Sequence, residues 1–328
     1  EAVAQLKEAV RQSPDNRQLR LTLARLLVEM GELEEAKGHF AHLETLSPRN
    51  TEILFAIGLL AFDLDDLDEA REYFTRLLDF EGRRDQASYY LGRIAEAEGH
   101  PEQARQRYQQ VETEPVRLDA QIRMARLLLE EGKRDEALAY LEDLREAYAD
   151  DEGALRQLFL VEAEWLREAG KYARAMTVFD QALESFPGDH DILYARALTA
   201  EKLGRLGQLE GDLRQILADD PDNTNALNAL GYTLADRTDR LDEALELIQK
   251  AHDQSPGDPA ILDSMGWIHY RLGNLDQALE YLRSAYEKVQ DPEIAAHLGE
   301  VLWMNGQKAE ARRVWFETRD AMPGVPIL

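Results

Sequence analysis

Residues 263–282 read DSMGWIHYRLGNLDQALEYL. The stretch looks helical on both sides of Gly273, a residue suited to the left-handed position just past a helix end. Gly266 stands inside the first of these helices, where glycine costs about 1 kcal/mol relative to alanine. Something must offset that cost. The same order of small residues recurs along the whole chain: a Gly or Ala in a first helix, a Gly seven positions on, an Ala five later and a Pro about twelve after that. The late alanine falls at Ala36, Ala70, Ala104, Ala137, Ala175, Ala244, Ala278 and Ala311, with Leu209 in the one slot that departs, and successive markers stand 33 to 38 residues apart. Each copy is thus a pair of helices, and Gly58, Gly92, Gly231, Gly266 and Gly299 are the positions at which the second helix of a pair approaches the first most closely.

A period near 34 with these small residues resembles the tetratricopeptide repeat. In one unit the matching residues are Leu262, Met265, Gly266, His269, Gly273, Ala278, Leu282 and Ala285; the preceding unit supplies Leu227, Leu230, Gly231, Leu234, Ala244, Ile248, Ala251 and Pro256. Nine units fit, beginning near Arg17, Thr51, Asp85, Leu118, Arg156, His190, Thr224, Pro259 and Pro292, and residues 1–16 read as the second helix of a truncated one. The expected fold is all-α, a right-handed α–α superhelix running as one continuous solenoid, with units one to four over 17–155 and units five to nine over 156–328. Between units, SPDN (13–16), SPRN (47–50), PGD (187–189), PDN (221–223) and PGDP (256–259) place a Pro that stops one helix and an Asp or Asn that caps the next. Pro259 and Pro292 suit a first helical position. Two irregularities stand out: extra residues near AYADDEGALRQ (147–157), where the superhelix is expected to bend or open, and Leu209, expected to hold its two helices apart or force them to repack.

Composition narrows the function. The 328 residues are 44% hydrophobic, with 64 Asp and Glu against 38 Lys and Arg, a formal charge of −26. Such a surface repels phosphate backbones, so nucleic acid is not an expected partner. No apolar run is long enough to span a membrane, and no cysteine supplies a disulfide, thiol nucleophile or metal ligand. The His39/His42 pair lacks a third ligand, and GRLGQLEG (204–211) has neither a preceding strand nor the lysine of a phosphate loop. The sequence therefore offers no catalytic residues, no metal site and no cofactor site; the expectation is a non-enzymatic scaffold that binds proteins or peptides.

The resemblance also implies where a partner would lie, because solenoids of this family bind in the groove lined by their first helices. Carrying the family's groove positions over gives Arg25, Phe55, Phe62, Tyr89, Arg93, Arg126, Tyr194, Asn228, Tyr232, Trp267, Tyr270 and Trp303 as partner-binding residues. Trp267, beside Gly266, is expected to turn its ring into the groove. A carboxylate clamp of the co-chaperone kind is disfavoured, because Asp263 and Trp267 stand where a basic clamp is wanted. The segments ALGYTLAD (229–236), LDSMGW (262–267) and HLGEVLW (297–303) are similar to those of bacterial tetratricopeptide lipoproteins, LbcA-like adaptors of carboxyl-terminal processing proteases. That resemblance implies an outer-membrane-anchored periplasmic protein that binds the protease and delivers peptidoglycan hydrolases to it. Its lipid anchor would lie upstream, since the chain begins at Glu1 inside a repeat and ends at VPIL (325–328), as a piece of a longer protein would. An envelope scaffold for polysaccharide export or secretion, and a cytoplasmic peptide-binding co-chaperone, are the alternatives.

Overall fold

The computed structural model of the protein describes residues 2–321; Glu1 and the closing VPIL lie outside the described residues. All regular structure among the described residues is helical, and the fold class is the expected one, an all-α stack of repeated helix hairpins. The chain forms two compact units, Glu1–Leu158 and Phe159–Leu328. In the first, α1 (Ala2–Gln12) packs on α2 (Arg17–Glu29), and hairpins follow as α2 with α3 (Leu33–Leu46), α4 (Thr51–Asp63) with α5 (Leu67–Leu77), α6 (Arg84–Ala97) with α7 (Pro101–Tyr108), and α8 (Arg117–Glu130) with α9 (Arg134–Ala147). A short 3-10 turn, Glu81–Arg83, leads into α6. The helix α10 (Glu152–Glu168) follows, then α11 (Tyr172–Ser185). The second unit continues with hairpins of α12 (His190–Lys202) and α13 (Leu206–Asp219), α14 (Thr224–Arg237) and α15 (Leu241–Gln254), α16 (Pro259–Arg271) and α17 (Leu275–Lys288), and α18 (Pro292–Met304) and α19 (Lys308–Ala321). No described helix is long and apolar enough to cross a membrane.

The punctuation read from the sequence is what holds these helices in place. Asn16, Asn50, Asp189, Asn223 and Asp258 each accept a backbone N–H of the following first turn, and Pro259 and Pro292 open their helices. The hairpin glycines Gly31, Gly99, Gly132, Gly170, Gly204, Gly273 and Gly306 all have positive φ, from 66° to 84°. In the α4–α5 hairpin Asp65 takes that conformation instead, at φ 61°; Asp tolerates it better than most side chains.

Gly266 is a packing residue. A Cβ there would stand 2.9 Å from Leu282 Cδ2 and 3.1 Å from the Ala278 carbonyl oxygen. Gly231 meets Ile248 and the Ala244 carbonyl in the same way. The nearest side chain in each case stands four residues after the marker alanine, and so do Phe74 against Gly58, Tyr108 against Gly92 and Trp315 against Gly299. The core they close is apolar: Ala278, Leu282, Ala285 and Ile268 are fully buried.

One boundary and one packing expectation change. The fifth unit was expected to open near Arg156; its helix begins at Glu152 and runs 17 residues, because Asp151 accepts the Ala154 N–H at 3.0 Å and so starts the helix a turn earlier. After a turn at 148–150, residues 152–155 extend the helix. Leu209 is 1% exposed in a cluster with Ala197, Leu213 and Ile216, so the departure from alanine is absorbed by packing between α12 and α13.

Candidate functional site

Each unit carries its own group of expected binding residues, and the two groups differ in chemistry. In the first unit Arg25 is exposed and lies 3.7 Å from Glu52, beside a shallow 360 Å³ depression lined by Leu21, Val28, Ala56 and Leu59. Arg126 is exposed too, 3.7 Å from Glu130 on its own helix. Phe55 and Phe62, one face of α4, are half-buried and bracket Tyr90 of α6, with ring centroids 5.7 and 5.9 Å apart and edge-on. The Arg93 guanidinium lies over Phe62 at 4.8 Å, and that of Arg83 lies over Phe55 at 4.9 Å.

Tyr89 departs from expectation. It is 7% exposed, and its hydroxyl donates to Asp119 and lies 3.3 Å from Arg123 Nε. The next repeat covers it. Burial, and then the hydrogen bond to Asp119, push the phenol above its ordinary value. Tyr89 therefore braces α6 against α8 instead of facing a partner.

In the second unit α14 touches α16, and α16 touches α18, so consecutive first helices share one face. A 540 Å³ cavity opens there. Asn228, Tyr232, Asp263 and Ile294 line it, together with Leu198 of α12. Two expected residues, Asn228 and Tyr232, thus come together on one wall. The Asn228 Oδ1 is shut off from solvent with no donor, an acceptor that costs free energy until something donates to it.

Tyr232 belongs to a buried polar chain that starts at Asp263. His297 Nδ1–H donates to both Asp263 oxygens, at 2.9 and 3.0 Å, with the two residues only 8% and 6% exposed. On the other side of the ring, Nε2 lies 3.4 Å from the Tyr232 hydroxyl, which donates to Glu293 at 2.8 Å. Because the tyrosine proton goes to Glu293, the hydroxyl can only accept from His297. That arrangement asks for a proton on both ring nitrogens, an imidazolium. Burial pulls the His297 pKa down, but the hydrogen bond and charge of Asp263, backed by Glu293 and Asp236, carry it above the ordinary histidine value. Burial pushes the Asp263 carboxyl up against the pull of His297. The Tyr232 phenol is raised by burial and by Glu293.

Trp267 is a correction. Its ring is 7% exposed and stacks on His297 at 4.2 Å and 24°, so it is a wall of the core and not an open groove residue. An indole face attracts the imidazolium it covers. Tyr270 remains half-buried beside it, donating to Glu300 at 2.9 Å. Tyr194 is half-buried against the apolar cluster of α12 to α16, and burial raises its phenol. Trp303 is half-buried on α18 under the cations of Lys308 and Arg312, at 5.0 and 5.4 Å.

Sequence reasoning missed His297, Arg83 and Tyr90. A signal for the first was present: His297 lies 34 residues beyond Asp263, the spacing at which side chains of consecutive first helices meet. Among the described residues no group of three His, Asp or Glu is arranged to hold a metal.

Comparison with known proteins follows this geometry. Family models described as tetratricopeptide repeat match residues 1–51, 95–158 and 237–296 in one case, 55–120 and 210–259 in a second, and 156–199 and 292–315 in two more. The TPR repeat-containing protein PA4667 of Pseudomonas aeruginosa is 56% identical over 127 residues, 39% of this chain and 22% of that protein. The chain therefore matches about a fifth of that relative's length. Among solved structures, a tetratricopeptide repeat protein from Parabacteroides merdae is 15% identical with a TM-score of 0.53, covering 83% of this chain and 93% of its own. Yeast Tom70 is 14% identical with a TM-score of 0.50, covering 97% and 88%. At those identities the two structures speak for the fold alone.

Proposed function

The chain belongs to the tetratricopeptide repeat family, and from that premise we propose that it is a periplasmic adaptor, bringing a carboxyl-terminal processing protease together with cell-wall hydrolases that the protease degrades. Proteins of this family bind other proteins or peptides. The observation that carries the finer reading is that the two units present different chemistry: an aromatic strip with arginines over it in the first, and a cavity walled by Asn228, Tyr232 and Asp263 in the second. Two unlike surfaces suit two unlike partners. The choice of partners follows from the resemblance of residues 229–236, 262–267 and 297–303 to protease-adaptor lipoproteins and is part of the proposal. An outer-membrane anchor in the full-length protein is part of the same proposal.

In this reading the chain makes and breaks no bonds. It raises the effective concentration of one partner at the other, and tethering of this kind raises apparent affinity by about 10² to 10⁴ when both sites can be engaged together. The test is the cleavage rate of a purified peptidoglycan hydrolase by a carboxyl-terminal processing protease, with and without the protein. Acceleration on the order of tenfold or more, with no cleavage by the protein alone, is expected. Binding of the hydrolase without any acceleration would refute the adaptor and favour an assembly scaffold.

A further inference from the structure

We propose that the Phe55–Tyr90–Phe62 strip of the first unit binds an extended acidic segment of a partner protein, one with two carboxylates three residues apart. The inference rests on the reading of this chain as a protein-binding scaffold and gives that partner its chemistry.

The strip is built from beneath. Phe74, with no exposed surface, stacks flat on Tyr90 at 4.9 Å and 9° and meets Phe55 edge-on at 5.9 Å, so the outer rings rest on a fixed floor. Phe55, Tyr90 and Phe62 are left half-buried, with ring surface available to the aliphatic stems of the acidic side chains. At each end a guanidinium lies over the terminal ring, Arg83 over Phe55 and Arg93 over Phe62. The 3-10 turn Glu81–Arg83 ahead of α6 is what brings Arg83 there.

These two cations lack acidic partners. The chain holds 64 acidic residues against 38 basic ones, and Arg71, Arg76, Arg105 and Arg123 of the same unit each form ion pairs. Neither Arg83 nor Arg93 has a carboxylate within 4.0 Å among the described residues; Arg83 instead donates to Gln86 at 2.5 Å. The acids Asp63 and Asp119 bear on the Tyr90 hydroxyl but stand outside ion-pair distance of both arginines. A guanidinium lying over a ring keeps N–H edges free for a carboxylate, and a bidentate pair of that kind is among the stronger polar contacts available.

The spacing sets the ligand. Phe55 and Phe62 are seven residues apart on one helix, which at 1.5 Å per residue is about 10.5 Å. A polyproline II segment rises about 3.1 Å per residue with three residues per turn, so its side chains i and i+3 share a face about 9.3 Å apart. A β-strand would need i and i+4, about 13 Å apart. The three-residue spacing fits the strip better. The acids are internal, and no chain terminus is required.

The test is fluorescence anisotropy with a hexapeptide in which two glutamates flank two leucines, carrying a neutral fluorophore at its amino end and an amide at its carboxyl end. Expected results are saturable binding weakened by salt, no measurable binding of the peptide with lysines in place of the glutamates, and at least a tenfold loss in R83Q/R93Q. Arg93→Lys keeps the charge without the fork and is expected to fall between. Equal binding of the lysine peptide, no binding of the glutamate peptide at millimolar concentration, or unchanged binding in R83Q/R93Q would overturn the proposal. Circular dichroism and melting verify folding, and R93K is the fallback variant if R83Q/R93Q does not fold. The two readings fail separately. Peptide binding without acceleration of the protease would sink the adaptor and leave the strip standing; acceleration by a protein that does not bind the peptide would sink the strip alone.

Discussion

Replacing His297 by leucine is the sharpest probe of the second unit. The substitution keeps a side chain of similar bulk under Trp267 but removes the only group among the described residues within hydrogen-bond distance of the Asp263 carboxylate, which is 6% exposed and held at 2.9 and 3.0 Å. A buried charge stripped of its partner costs about 3–5 kcal/mol, or between two and four orders of magnitude in the folding equilibrium at about 1.36 kcal/mol per tenfold. The double variant D263L/H297L removes both charges, and its loss is expected to be no more than about 1–2 kcal/mol, since apolar replacement of a whole buried pair is often near neutral. All four tryptophans, Trp165, Trp267, Trp303 and Trp315, lie in the second unit, so urea unfolding followed by tryptophan emission reads that unit. The penalty has a signed pH dependence. In His297→Leu the Asp263 pKa is raised by burial without opposition, and a folded carboxyl above its unfolded value gains stability as the pH falls through it. The deficit therefore shrinks on acidification. A loss under about 1 kcal/mol at neutral pH, or a deficit that grows as the pH falls, would show that the pair is not the support described here.

The wild-type protein carries the complementary dependence. The folded His297 pKa is raised, so its contribution is fully present below the unfolded value near 6.5 and is lost as the pH rises through the folded one; the melting temperature of the second unit is expected to fall over that alkaline side, and to stay flat there in D263L/H297L. Gly266→Ala gains about 1 kcal/mol of helix propensity but forces a methyl against Leu282 and the Ala278 carbonyl, an overpacking cost of about 1–3 kcal/mol, so the net is destabilisation. Gly211→Ala, also mid-helix but with nothing within 4 Å, is expected to stabilise by about 0.5–1 kcal/mol, and urea midpoints that rank the two variants the other way would refute the packing account. Arg196 forks onto Asp212 at 2.7 and 2.9 Å, with Asp212 only 2% exposed; Arg196→Met is expected to cost about 3 kcal/mol and Arg196→Lys less, measured by the same unfolding curves.

What could be read from the sequence was whatever local chemistry decides. Turn glycines, Asn and Asp caps and the close approach at the helical glycines act over a few neighbouring residues, and most hairpins repeat them. The opening of the fifth unit was read near Arg156, whereas Asp151 is a cap and Glu152 opens the helix a turn earlier. Exposure at the groove positions could not be read from one repeat. Trp267 and Tyr89 occupy slots that face the groove, but each is covered by a side chain one repeat further on, His297 in one case and Asp119 with Arg123 in the other. Whether a slot is open thus depends on its own residue and on those 30 to 34 positions later.

The same accounting limits what the acidic cavity of the second unit can recognise. Five carboxylates line it, those of Glu201, Asp258, Asp263, Asp291 and Glu293, against one lysine, Lys202, and the count invites a cationic ligand. Four of the five are already committed. Asp258 and Asp291 cap α16 and α18, Asp263 holds His297, and Glu293 accepts from Tyr232. Glu201 alone has no hydrogen bond or ion pair among the described residues, and Lys202 next to it in sequence offsets its charge. The cavity is therefore acidic in composition but largely satisfied in its hydrogen bonds, and the unmet polar group on its wall is the Asn228 Oδ1. That oxygen is shut off from solvent, so what the cavity offers is the apolar surface of Leu198, Ala229 and Ile294 beside acids that already hold hydrogen bonds, whereas the proposed site on the aromatic strip of the first unit depends on charge. The two surfaces should respond differently to salt, with binding at the strip weakened and binding at the cavity little changed.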